Sequence, residues 1–327
     1  MGDIGKQGTV IKIEPPLPED LTEELLDFWE AIFEVPCDGY RSILNGSERD
    51  DNHDIFYLLR KGEELGGTSH LTISKADPRL GGLGEVATPP EFRRQGIATA
   101  LCAHTLEDFH AHNGQAFFLG TVNPGAARVY HRLGWRKLAG ANVMAFIASG
   151  DSPEAFLVDY FREGGPAEVV PATPADRIPM IPLLLCPHDW KVLDANVGMC
   201  STRYAVQNSC MGLYPRYEAL AQDGRGAWFA LRANQGRVVG LSSVRLDESG
   251  HCQVDGFTHQ SHTDAWEELM DAALRWGADR GLCCAIVSVE DEDKRVRFES
   301  LGLQASGAGG VFSLGDRQVP SIRLEKQ

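Results

Sequence analysis

Three residue pairs in this 327-residue chain share one spacing: Leu101 and Leu269, Leu106 and Leu274, and Gly134 and Gly302 each stand 168 apart. One offset that holds through two helical stretches and the strand-like stretch between them describes an internal duplication. It constrains the fold more than any other feature, because the architecture of the first half must also suit the second. The length agrees, since it allows two domains of ordinary size with buried cores. Gly164-Gly165-Pro166 is the expected junction and residues 153–161 before it are open to a helix, so we read residues 1–150 as the first domain, 151–166 as a linker and 167–327 as the second domain.

Within the first half, residues 9–13 alternate like a strand. Residues 21–33 then repeat apolar side chains at helical spacing, with Asp20 or Thr22 as the expected cap. The stripe carrying Trp29 and Phe33 is either core or the lining of a ligand pocket. Residues 55–59 and 65–73 flank Lys61-Gly62-Glu63-Glu64 as a hairpin. A strand at 84–88, a helix at 96–112, a strand at 116–122, a helix at 126–133 and a strand at 143–148 follow. The second half repeats this plan with a strand at 167–172, a broken helical region at 174–185 and a hairpin at 228–244. Strand, helix, strand and helix then come at 252–257, 264–279, 283–289 and 293–301.

The chemistry concentrates in residues 83–135, where a short strand and Pro89-Pro90 lead into Arg93-Arg94-Gln95-Gly96-Ile97-Ala98-Thr99 at a helix start. The first turn of a helix has free amides and the positive end of its dipole, and glycine lets a phosphate approach the backbone closely. An arginine pair there adds charge. The duplication supplies a control for this reading. Ser261, His262, Thr263, Asp264, Ala265 and Trp266 stand opposite Arg93, Arg94, Gln95, Gly96, Ile97 and Ala98. Both arginines are gone, a carboxylate replaces the glycine, and the largest side chain replaces a small one. Downstream, Asn123, Ala126 and Tyr130 face Asp291, Lys294 and Phe298, so the second copy keeps the ring of Tyr130 without its hydroxyl. Tyr130 is either a proton donor or a core tyrosine with a satisfied hydroxyl.

Arg93-x-x-Gly96-x-Ala98 after a strand and Pro-Glu-Phe, followed by Asn123-x-x-Ala126-x-x-x-Tyr130-x-x-x-Gly134-Trp135, resembles the GNAT superfamily of acyl-CoA-dependent N-acyltransferases. The cradle pattern of that family is Q/R-x-x-G-x-G/A. The resemblance implies an α/β (α+β) fold of two tandem GNAT-like domains, each a mixed, mostly antiparallel twisted sheet flanked by helices. The second would be a degenerate domain without the cradle. It implies acetyl-CoA as co-substrate, with the amides of Arg94, Gln95, Gly96, Ile97, Ala98 and Thr99 on the pyrophosphate and Arg93 and Arg94 adding charge. Val86, Ala87 and Thr88 would pair with the pantetheine amides, and Asn123 would reach the pantetheine or hold its own turn. Amine attack on a thioester needs a base, an oxyanion donor and an acid for the departing thiolate. The resemblance gives these roles to Glu85 acting through a water, a backbone amide near Ala87 or Thr88, and Tyr130. Glu85 can equally be a solvated or salt-bridged strand carboxylate. At 168 residues from it stands Gln253, which cannot act as a base. Acceptor specificity in such enzymes lies in the first helix, the hairpin and the last strands, where Trp29, Asp38, Tyr40 and Asp54 are available.

Composition narrows the function classes. A net charge of -15 argues against non-specific nucleic-acid binding, which needs a basic surface. Residues 1–12 contain no apolar signal region, and no run of about 18 apolar residues occurs, so a cytoplasmic protein without a membrane span is expected. The eight cysteines form no C-x-x-C pair and read as reduced thiols. The histidines form no zinc pattern, with His110 and His112 on different helix faces, and no metal is expected. The expected function is an N-acetyltransferase acting on a primary amine of a small molecule or peptide, as a monomer or homodimer. Two readings stand beside it, a transferase using a longer acyl-CoA and a non-catalytic acyl-CoA-binding or interaction protein. A dinucleotide-binding oxidoreductase is disfavoured because no G-x-G-x-x-G joins a strand to a helix.

Overall fold

The computed structural model describes residues 8–162, 164–222 and 224–326. The chain forms two compact units. One comprises residues up to 137 together with 143–153, and the other comprises 138–142 and residues from 154 onward.

The first unit contains strands β1 (Thr9–Ile13), β2 (Asn52–Lys61), β3 (Glu64–Ser74), β4 (Leu80–Ala87), β5 (Ala116–Gly120), β6 (Arg136–Lys137) and β7 (Val143–Ile147). They make one sheet in the order β1-β2-β3-β4-β5-β7-β6, antiparallel except for the β4–β5 pair. Helices α1 (Glu19–Phe33), α2 (Arg41–Leu44), α3 (Ile97–Ala111) and α4 (Pro124–Arg132) accompany it. Successive side chains of a strand point to opposite faces, and both faces of β2 are apolar. Ile55, Tyr57 and Leu59 meet Ile97, Leu101 and Phe109 of α3, whereas Phe56 and Leu58 meet Leu25, Leu26 and Trp29 of α1. The stripe of α1 is therefore core, and each fully buried leucine in it contributes about 1.5–3 kcal/mol. Phe33, at the end of α1, is at the surface. Neither Asp20 nor Thr22 caps α1. Pro18 occupies the cap position without a side-chain bond, and the helix begins two residues earlier than expected because proline suits a first turn whose amides are unpaired.

The second unit contains β8 (Ala167–Pro171), β9 (Val192–Asp194), β10 (Met199–Cys200), β11 (Gly226–Ala233), β12 (Val238–Leu246), β13 (His251–Thr258), β14 (Leu282–Ser288), β15 (Leu303–Leu314) and β16 (Arg317–Lys326). Its helices are α5 (Pro153–Tyr160), α6 (Met180–Leu185), α7 (Tyr214–Ala221), α8 (Trp266–Ala278) and α9 (Glu292–Ser300). The seven-stranded sheet reads β8-β11-β12-β13-β14-β16-β15 from one edge, with β13–β14 as the parallel pair. This is the order of the first sheet strand for strand, so the two halves share one topology.

Several features differ from the sequence-based expectations. The stretch expected as a linker holds α5, whose Leu157 and Tyr160 are buried, as is Phe161 after it. Residues 138–142 belong to the second unit, where Asn142 donates its backbone N–H to the Gln207 carbonyl at 2.6 Å and Gln207 donates to Gly140 at 3.1 Å. The β15–β16 hairpin, α7 and the small β9–β10 ribbon had no counterpart in the pattern reading. β15 is exposed along most of its length and interrupted by bulges near Gly307 and Gly310, which erases the alternation that marks a strand. The cysteines are all free thiols. No helix of the described residues is long and apolar enough to cross a membrane.

Candidate active site

The site is built where β4 and β5 part. Their parallel pairing runs from Leu80 and Ala116 only to Gly82 and Phe118. From Leu83 to Ala87 that edge of β4 has no strand partner, although it stays paired to β3 on its other side. Opposite Ser69 of β3, β4 spends two residues, because Thr68 pairs with Ala87 and His70 with Gly84. Glu85 lies in this bulge with φ +46°, a left-handed conformation that non-glycine side chains rarely adopt and that marks functional sites when the surroundings enforce it. Here they do. Thr68 Oγ1 donates to the Glu85 carbonyl at 2.6 Å and in turn accepts from Trp29 Nε1 at 3.0 Å.

The Glu85 side chain is 7% exposed and does not behave as a solvated strand carboxylate. Its Oε2 lies 2.6 Å from His70 Nδ1, and His70 Nε2 lies 2.9 Å from Asp54 Oδ1, which also accepts from Thr72 Oγ1 at 2.7 Å. The His70 ring stacks on Phe56 with centroids 4.1 Å apart. Burial opposes a charged imidazole, but the bonds to Asp54 and Glu85 outweigh it and raise His70 above the ordinary histidine value. Only Oε2 of Glu85 is engaged among the described residues, leaving Oε1 to accept a proton.

The anion cradle follows Thr88. Pro90–Phe92 form a single 3-10 turn, Arg94 takes φ +62° and Gly96 φ +84°, and α3 begins at Ile97. Positive φ at Gly96 is the conformation for which glycine is suited. Arg93, Arg94, Gln95, Gly96 and Thr99 are exposed, Ala98 is half-buried and Ile97 anchors the turn in the core. The Arg93 Nε donates to the Thr88 carbonyl at 3.0 Å, which ties the end of β4 to the loop. The first amide of this turn with a backbone acceptor inside it is that of Ala100, bonded to Gly96 at 3.0 Å.

Asn123 caps α4 by accepting from the amides of Gly125 and Ala126 at 2.8 and 3.3 Å, so its Oδ1 holds the turn. Seven residues on, Tyr130 is 6% exposed, beside Trp135 at 6.3 Å between rings, in the core cluster on the α3 face. Burial, with a smaller effect of Cys102, pushes its phenol well above the usual tyrosine range. Its hydroxyl makes no hydrogen bond among the described residues. Glu85 points to the opposite, α1-covered face, where Phe56 and Trp29 lie. A substrate can touch both groups only by running through the gap between β4 and β5.

The four residues considered for the acceptor have other surroundings. Trp29 is fully buried on Thr68, Tyr40 packs against Trp29 at 5.4 Å, Asp38 pairs with Arg41 at 3.2 Å, and Asp54 holds His70. The histidine itself was missed by sequence reading. The available signal was a polar stretch, Thr68-Ser69-His70, in a strand buried on both faces.

The second unit differs at every one of these points. Aligning the starts of the two parallel pairs, Leu80 with Ala116 and His251 with Leu282, makes Gly256 the counterpart of Glu85, so the expectation of Gln253 is corrected. The offset of 168 holds for α4 and α9 but not along β4 and β13, whose parallel pairs start 171 residues apart, at Leu80 and His251. Trp266 fills the cradle position, fully buried, with its Nε1 donating to the Gly256 carbonyl at 3.0 Å and its ring against Phe298 at 5.1 Å. The gap between β13 and β14 is lined by the chain itself. Lys191 donates its amide to Asp291 at 3.0 Å, Ala195 donates to Asp255 at 2.7 Å, and Asn196 donates to the Gln253 carbonyl at 3.0 Å. Lys294, 1% exposed, binds the Val192 and Leu193 carbonyls at 3.0 and 3.1 Å and pairs with Asp255 at 2.5 Å. Burial drives the Asp255 carboxyl up to about 7 against the pull of Lys294, and Asp194 beside it is raised as well.

Residues 19–135 match the profile of the acetyltransferase (GNAT) family. No curated protein matches the chain. Similar solved structures include a chimera of the spermidine N-acetyltransferase SpeG from Vibrio cholerae with hSSAT, at 16% identity over 49% of this chain and 94% of that one, TM-score 0.39. The Vibrio cholerae spermidine N-acetyltransferase in complex with CoA and spermine shares 14% identity over 49% and 94%, TM-score 0.38. A dodecameric structure of that enzyme in an intermediate state shares 17% over 36% and 74%, TM-score 0.31.

Proposed function

We propose that this chain, whose residues 19–135 match the acetyltransferase (GNAT) family profile, is an acyltransferase that transfers an acetyl group from acetyl-CoA to a primary amine of a small molecule or peptide by direct attack in a ternary complex. The observation that carries this reading is the gap beyond Gly82 and Phe118, which opens between Glu85 on one face and Tyr130 on the other and leads to the Gly96 turn. A phosphate-bearing thioester fits such a gap. The pyrophosphate would meet the amides of residues 94–99 with the charge of Arg93 and Arg94. The pantetheine amides would pair with the free edge of Val86 and Ala87 up to Thr88, as an added strand does. Asn123 would act by holding the α4 turn.

In the transfer, the amine nitrogen bonds to the thioester carbon and gives its proton, through a water, to Glu85 Oε1. An amide of Ala87 or Thr88 stabilises the oxyanion, and the C–S bond breaks as Tyr130 protonates the leaving thiolate. The second unit would be a degenerate copy, with Gly256, Trp266 and Phe298 at the three decisive positions and the segment 191–196 in its gap.

The test is a panel of primary amines incubated with acetyl-CoA and read by thiol release. Thiol release that depends on an amine supports the reading; thermal stabilisation by acetyl-CoA without turnover on any amine supports a binding protein instead. Acetyl-CoA is expected to raise the Tm of the wild type. Gly96→Asp, which copies the second unit, is expected to abolish that rise, and an unchanged rise would overturn the cradle assignment.

A further inference from the structure

A carboxylate buried to the degree of Glu85 needs an opposite charge or several donors to stay ionised. The first unit supplies one donor group of the right kind. His70 stands between two carboxylates, with Nδ1 on Glu85 and Nε2 on Asp54, and its ring stacks on Phe56. An imidazole with a carboxylate oxygen at each nitrogen satisfies both bonds as donors only when both nitrogens carry protons. Its position between β2 and β4 also fixes the direction of Glu85, because His70 itself is locked at its far end. Thr72 Oγ1 donates to the same Asp54 oxygen at 2.7 Å and lies 3.2 Å from His70 Nε2, so it holds the far end of the pair in place.

Asp54 lies on the wall of a polar cavity of about 270 Å³, which Arg49, His53 and Lys75 also line. Glu14 and Asp50 line the same cavity, so groups of both signs face Asp54 from that side. On the side of α1 the charged groups near Glu85 are acidic. Glu30 and Asp38 lie close to Cys37, and burial, Glu30, Glu85 and Asp38 together push the Cys37 thiol up to about 11. Among the described residues, the only cationic group in contact with Glu85 is therefore His70.

We propose that His70 is a positioning residue of the acyl-transfer site: protonated on both nitrogens and clamped by Asp54, it directs Glu85 and supplies the positive charge that keeps this buried carboxylate ionised and ready to accept the amine proton. The proposal rests on the reading of Glu85 as the base. It adds no atom to the reaction. The proton leaving the amine goes to Glu85 Oε1, and His70 keeps both of its own.

Four proteins decide it: wild type, Glu85→Gln, His70→Asn and Asp54→Asn, each assayed for kcat across pH with an amine found in the screen. The Glu85 carboxyl resonance is followed in parallel in ¹³C-glutamate-labelled protein and assigned by its loss in Glu85→Gln. Asparagine at 70 can donate one bond but carries no charge. The expected result is that His70→Asn moves the acid limb of kcat and the titration of the Glu85 resonance up by at least one pH unit. Asp54→Asn is expected to move both in the same direction by less, and the acetyl-CoA thermal shift is expected to stay intact in both. A Glu85 resonance and an acid limb that stay in place in His70→Asn overturn the proposal. If His70→Asn loses its cooperative unfolding transition, the same two readings on Asp54→Asn decide, with no displacement overturning it. Undiminished turnover in Glu85→Gln overturns the base assignment itself, which separates that failure from a failure of the His70 role alone.

Discussion

At the scale of single residues, the two candidate proton-transfer groups are held in opposite ways. Glu85 is pinned by its own backbone and side chain, through Thr68 on its carbonyl and His70 on its carboxylate. Tyr130 is held by packing in the core formed by Ile97, Leu101, Leu119 and Trp135, and its hydroxyl makes no hydrogen bond among the described residues. Tyr130→Phe therefore deletes an atom that no hydrogen bond among the described residues uses. Under the proposed mechanism it is expected to lower kcat by about 100-fold, the lower range for loss of a general acid, while leaving the acetyl-CoA thermal shift unchanged. Stopped turnover together with a lost thermal shift would make the tyrosine structural. Gly96, Tyr130 and their spacing were legible in the sequence because each sits in a local strand-turn-helix pattern. His70 and Asp54 were not, because they meet Glu85 only across two neighbouring strands at a register that the bulge sets.

At the scale of elements, β4 and β13 show how one strand geometry serves two ends. In β4 the bulge at Glu85 turns a carboxylate to the sheet face and leaves the far edge open. In β13 the corresponding residue is Gly256, where an added Cβ would meet the Leu241 carbonyl at 2.7 Å and Met270 Sδ at 2.8 Å. No side chain fits there while Trp266 and α8 pack as they do. The gap beyond β13 is closed instead by the Asp255–Lys294 pair and the carbonyls of Val192 and Leu193. Removing one partner of a buried ion pair leaves the other charge uncompensated. Lys294→Met is expected to lower unfolding stability by about 3–5 kcal/mol, measured by urea denaturation at pH 8. The loss should shrink as the pH falls toward about 7, because without the pull of Lys294 the Asp255 carboxyl takes up its proton at a higher pH than in the wild type. The sign follows from linkage. A carboxyl raised in the folded state binds its proton more tightly than in the unfolded chain, so the variant regains stability as pH falls. A loss independent of pH would show that Lys294 acts through packing alone.

At the scale of the whole molecule, the two units share one strand order, yet they differ in what occupies the gap beside the parallel pair. The proposal of one site per chain makes a stoichiometric prediction. Titration calorimetry is expected to give one acetyl-CoA per chain, and Asp264→Gly combined with Trp266→Ala is expected not to raise it, because residues 191–196 still fill the gap. A second equivalent in that variant would show that the cradle residues alone closed the site. The sequence by itself determined the duplication and most of the run of strands and helices, which depend on local periodicity and on residue types at fixed spacing, and its resemblance to a known family implied the mixed sheet. The tertiary structure alone decided which residue of the second copy faces Glu85, which segment fills its gap, and that His70 and Asp54 stand behind Glu85. Those contacts depend on strand register and on which segments pack beside a strand, and neither is written in the local pattern of the strand itself.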